Sequence, residues 1–119
     1  MIQLGKIQYN SPGTDTGSNA SLNAEYVVIK NLGATTRTLT GYTLRDAQNH
    51  VYKFGTVKLG AHKTVTVHTG KGTNTAANRY WGSRAYIWNN TGDKATLRAA
   101  NGTLLDTCSW GSTGSYKNC

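Results

Sequence analysis

Apolar residues recur along this chain in short alternating bursts, and turn-forming residues interrupt them every eight to twelve positions or so. No stretch keeps a spacing of three and four residues for three turns, so the pattern predicts an all-β chain. The first burst, Ile2 to Tyr9, places Ile2, Leu4 and Lys6 on one face against Gln3, Gly5, Ile7 and Tyr9. That imperfect alternation predicts an edge strand. A polar connection follows from Asn10 to Asn19. Glu25 to Asn31 has a nearly continuous apolar centre and predicts a central strand with Val27 and Ile29 in the core.

Thr36 to Thr40 leads into Gly41, where a bulge or a close backbone approach is expected before a strand from Tyr42 to Asp46. Val51 to Phe54 pairs back across the turn at Ala47 to His50, and Leu59 to His62 makes a corner. Lys63 to Thr69 then alternates cleanly, with Val65 and Val67 inward. Residues Gly70 to Arg84 show no regular period. Strand character returns at Ala85 to Trp88, and Lys94 to Ala99 and Thr103 to Trp110 flank Asn101-Gly102, a strong hairpin signal. The expected fold is an all-β sandwich of two mainly antiparallel sheets with about eight or nine strands. Residues 1–110 form one domain, and 111–119 form a C-terminal tail.

The order of these segments resembles the lamin tail domain family. The residues that carry the resemblance are Glu25-x-Val27-x-Ile29-x-Asn31, then Leu39-x-Gly41-Tyr42-x-Leu44-x-Asp46, Tyr52 and Phe54, and Leu59-Gly60 ahead of Val65-x-Val67. The block from Trp88-Asn89-Asn90 through Gly92-Asp93, Ala95 and Leu97, and the run from Gly102 to Asp106, complete it. The resemblance implies an immunoglobulin-like sandwich, of the type that accompanies secreted or surface proteins in bacteria. The chain has no heptad rod, prenylation motif or dense basic cluster, so filament assembly is not implied.

Composition narrows the function classes. Thirteen Lys and Arg against five Asp and Glu give a net charge of +8, which favours acidic partners such as nucleic acid, teichoic-type polymers or anionic lipid. The basic residues are scattered, so solubility alone also accounts for the charge. No apolar run approaches the length needed to span a bilayer, and no signal-like segment opens the chain. The chain is therefore expected to be either cytoplasmic or a mature secreted segment. Cys108 and Cys119 flank a Gly/Ser-rich tail able to curl back into a disulfide, which favours an extracellular setting; the alternative is two free thiols.

Catalytic and metal signatures are weak. His50, His62 and His68 have no metal-ligand spacing, a calcium site at Asn89, Asn90 and Asp93 would hold a single charged ligand, and no Ser sits in a nucleophile elbow. The chain is expected to be non-enzymatic, with neither cofactor nor metal. The best candidate site is the Gly70–Arg84 loop, where Lys71, Arg79 and Arg84 are interleaved with Tyr80 and Trp81. Cations interleaved with aromatic rings can hold phosphates and stack on bases, which points to DNA or an anionic polysaccharide. The same rings could stack on a neutral carbohydrate, or simply anchor the loop. A spacer or protein-interaction role beside other domains of a larger protein is the remaining reading. Glu25, on the inward face, requires a partner that Lys30, Arg45 or backbone amides could supply.

Overall fold

A computed structural model describes residues 2–10, 17–89, 91–111 and 114–119. Its elements, in chain order, are β1 (Ile2–Gln8), α1 (Asn19–Asn23), β2 (Tyr26–Asn31), β3 (Arg37–Thr38), β4 (Thr43–Arg45), β5 (Val51–Lys53), β6 (Lys58–Leu59), β7 (Thr64–His68), β8 (Asn78–Tyr80), β9 (Asp93–Arg98), β10 (Leu104–Trp110) and β11 (Tyr116–Asn118). They build a five-stranded sheet, β11-β1-β2-β7-β8, and a four-stranded sheet, β10-β9-β4-β5. A two-stranded pair, β3-β6, accompanies them. All pairings are antiparallel except β7 with β8.

The core follows from alternation. Val27 and Ile29 of β2, Val65 and Val67 of β7, Leu44 of β4, and Ala95 and Leu97 of β9 are all buried. β2 lies in the middle of its sheet, where its apolar run predicts it. β1 is different from the sequence expectation. A register shift between Leu4 and Ile7 inserts a bulge, which turns Ile7 inward with Ile2 and Leu4 and breaks the alternation. The irregular pattern is thus a bulge; β11 covers the outer edge of β1.

Three further differences have local causes. α1 interrupts the polar connection, capped by the Ser18 hydroxyl, which accepts the Ser21 amide. Five residues are too few to display a helical period. Ile87 and Trp88 are buried but lie in irregular chain, because their amides are taken by a carboxylate instead of a neighbouring strand. Eleven strands occur among the described residues; those beyond the expected eight or nine come from the two-residue strands and from β8 and β11, which lack apolar alternation.

Gly41 meets its expectation of a close approach. Its φ of 84° and the Ala100 side chain, which a Cβ there would meet at 3.0 Å, both disfavour a larger residue. At one side of the sandwich β1 lies against β10, where the Leu4 amide donates to Asp106 Oδ2 at 2.9 Å and Tyr9 stacks on Trp110. At the other, β8 and β5 are the edge strands, bridged by Trp81 against Tyr52 and by Arg79 donating to the Thr56 carbonyl.

Candidate functional site at the Gly70–Arg84 loop

The two ends of the loop are zipped together by backbone hydrogen bonds. The amides of Trp81, Gly82 and Ser83 donate to the carbonyls of His68, Gly70 and Thr69 at 2.7, 2.9 and 2.9 Å. Its tip is held by local bonds: the Asn78 amide donates to Thr75 Oγ1, and the Tyr80 amide to Asn74 Oδ1. α1 grips the loop from the other side. Asn19 Nδ2 and Asn23 Nδ2 both donate to the Lys71 carbonyl, and the Lys71 amide donates to Asn19 Oδ1 at 2.8 Å.

This arrangement brings Lys71 and Arg84, thirteen positions apart in sequence, to one pocket of about 280 Å³, which Asn19, Leu22 and Ser83 also line. Both cations are exposed, and no carboxylate is among the described lining residues. The other three sequence candidates point elsewhere. Tyr80 pairs with His68 across the β7-β8 ladder and stacks on its ring at 4.9 Å, with Gly72 close against it: a Cβ on Gly72 would lie 2.5 Å from the Tyr80 ring. Arg79 pairs with the inward-facing Val67. Its Nη2 donates to the Thr56 carbonyl, and its Nε is buried with no hydrogen-bond partner among the described residues. Trp81 packs on Tyr52 and Trp88. Burial pushes the Tyr52 hydroxyl above the ordinary phenol range, and the positive charge of Arg79 pulls it part of the way back.

The four described carboxylates are all occupied by backbone amides, which leaves the cations to dominate the described surface. Glu25 Oε1 accepts the amides of Ile87 and Trp88 and the Thr69 hydroxyl. Asp46 accepts the amides of Gln48 and His50 and pairs with the His50 ring; Asp93 accepts those of Ala47, Asn89 and Lys94. Asp106 accepts those of Leu4 and Thr107. Among the described residues no Lys or Arg is ion-paired with Asp46, Asp93 or Asp106. Of the residues considered for calcium, Asn90 lies outside the described residues, and Asp93 is a backbone clamp. Among the described residues no three His, Cys, Asp or Glu cluster as metal ligands, and no helix is long and apolar enough to cross a membrane.

Asn19, Leu22 and Ser83, which also line the pocket, carry no charge or aromatic ring that marks them in the sequence. Ser18, as a helix N-cap, was the available signal for the segment that places the first two.

The sequence model of the Lamin Tail Domain family matches residues 2–112, nearly the whole chain. The chain belongs to the Lamin Tail Domain family. Lamin tail domains are non-enzymatic, immunoglobulin-like modules, in keeping with the two-sheet sandwich. No curated protein matches this chain. The Cys108–Cys119 disulfide joins β10 to the end of β11, with the two Cα atoms 6.0 Å apart, and fits an oxidising extracellular setting.

Proposed function

We propose that this lamin tail domain is a binding or attachment module of an exported protein, and that it holds a polyanion, DNA or an anionic cell-surface polymer, on the Gly70–Arg84 loop. Lys71 and Arg84 make the charge contacts, and Arg79, Tyr80 and Trp81 form the framework beside them. The observation that carries the reading is the convergence of Lys71 and Arg84 on one pocket without a carboxylate among its described lining. A pocket slightly smaller than usual for drug-sized ligands suits a phosphate or carboxylate group with its adjoining carbons better than a whole polymer segment. The polymer would then continue over the exposed rim.

Neutral carbohydrate recognition is less well supported, since Tyr80 is already stacked on His68 and Trp81 is packed on Tyr52 and Trp88. A salt titration separates the two readings. For duplex DNA, log affinity should fall against log salt with a slope of about −0.9 per phosphate engaged, whereas glycan binding should hardly change. Salt-insensitive binding would refute the polyanion reading.

A further inference from the structure

The outer face of the four-stranded sheet carries a second cationic surface, which shares no residue with the Lys71 and Arg84 pocket. Alternation turns Leu44, Ala95 and Leu97 into the core, so their neighbours Arg45, Lys94 and Arg98 face outward; Lys53, paired with Thr43, joins them. The register sets the array. Lys53, Thr43 and Arg98 form one row across β5, β4 and β9, while Arg45 and Thr96 are partners in the next. With adjacent strands about 4.8 Å apart and about 3.4 Å per residue along each strand, the four cations spread over roughly 10 by 14 Å. Among the described residues the side chains of Arg45, Lys53 and Lys94 have no partner; Arg98 donates to the Gly102 carbonyl at 3.3 Å and remains on the face.

Among the described residues no carboxylate shares this face, because the three that these strands and their ends carry are taken up by backbone amides and, for Asp46, by the His50 ring as well. Asp46 and Asp93 are buried, and Asp106 pairs with the inward Leu97 and reaches across to Leu4. The opposite sheet contrasts with it. There Lys6 lies over the Tyr116 ring, and the Lys30 stem runs along Gly5, so both are committed to their own surface.

We propose that this face docks the domain flat onto an anionic lipid bilayer. The charges fill two dimensions instead of following a line, and Thr43 and Thr96 between them offer hydroxyl donors to headgroup phosphates. The rows Lys53–Thr43–Arg98 and Val51–Arg45–Thr96 hold no aromatic ring, which a single-stranded nucleic acid would need for stacking. Two aliphatic side chains stand in the same rows: Val51, 48% exposed, opposite Arg45, and Leu104, 52% exposed, opposite Arg98. They suit contact with the acyl boundary beneath the headgroups.

The test is co-sedimentation of the whole chain with vesicles of phosphatidylglycerol and phosphatidylcholine, and with phosphatidylcholine alone, in low salt. Binding is expected only to the anionic vesicles. Each single change, Arg45→Gln, Lys53→Gln, Lys94→Gln or Arg98→Gln, should weaken it about five-fold. The control pair Lys30→Gln/Lys117→Gln on the other sheet should leave it within two-fold, and Lys71→Ala/Arg84→Ala should do the same, which separates this surface from the loop. Lys53 is exposed on an edge strand, so Lys53→Gln alone keeps the test open if the others misfold. No binding to anionic vesicles, or equal loss from the control pair, overturns the proposal. So does duplex DNA binding that responds to these four changes while vesicle binding does not.

Discussion

Glu25 Oε1 accepts the Trp88 amide at 3.0 Å, joining the start of β2 to a buried stretch with no strand partner of its own. The same oxygen accepts the Ile87 amide at 2.8 Å and the Thr69 hydroxyl at 2.7 Å. Glu25 is 1% exposed, so it acts as a fixed internal acceptor for groups that water cannot reach. Glu25→Ala strips two buried amides of their acceptor and should cost about 3 kcal/mol or more. Urea unfolding of the variant checks this; an unchanged midpoint would contradict it.

Asn31 makes a comparable clamp. Its Nδ2 donates to the carbonyls of Thr35, Leu59 and Gly60, and its Oδ1 accepts the Gly33 amide. Asn31→Asp should therefore destabilise more than Asn31→Ala, because it turns a buried negative charge toward three carbonyl oxygens. Thermal unfolding of the two variants at pH 7 gives the order directly.

The disulfide closes a short ring that includes β11, and the Cys119 amide adds a bond to the Gly5 carbonyl. In the chain-entropy account, reduction should cost about 3 kcal/mol. The melting temperature with and without reductant measures the loss. Hydrogen exchange should rise first at Tyr116 to Asn118, the strand left with only its pairing to β1.

Tyr52 supplies a pH dependence. Its hydroxyl is raised above 10.0 by burial, so folding favours the neutral phenol. Its contribution is fully present below pH 10.0 and is lost as pH rises through the higher folded value. Tyr52→Phe should flatten the alkaline fall in stability, read from urea midpoints measured across that range.

Much of this fold was legible because one physical signal dominated each legible part. Val27 and Ile29, Val65 and Val67, and Ala95 and Leu97 alternate into the core, and Asn101-Gly102 closes a hairpin in which the Ala99 amide meets the Thr103 carbonyl. The less legible parts are held by long-range polar contacts. β8 exists because its neighbours on β7 and the Asn74 and Thr75 side chains fix it, and Asn78-Arg79-Tyr80 alone shows no strand period. At the site, Lys71 and Arg84 could be named from charge, but their meeting depends on amide bonds between positions 68–70 and 81–83. The outer cationic face needed the register of three strands, which scattered basic residues in a sequence do not disclose.

The most direct test of the polyanion reading compares wild type with Lys71→Ala/Arg84→Ala in binding to a duplex DNA and to an anionic wall polymer, each titrated with salt. The account predicts weaker binding by the variant and, on DNA, a log–log salt slope smaller in magnitude by about two. A variant that keeps the wild-type affinity and slope on both polymers would contradict it.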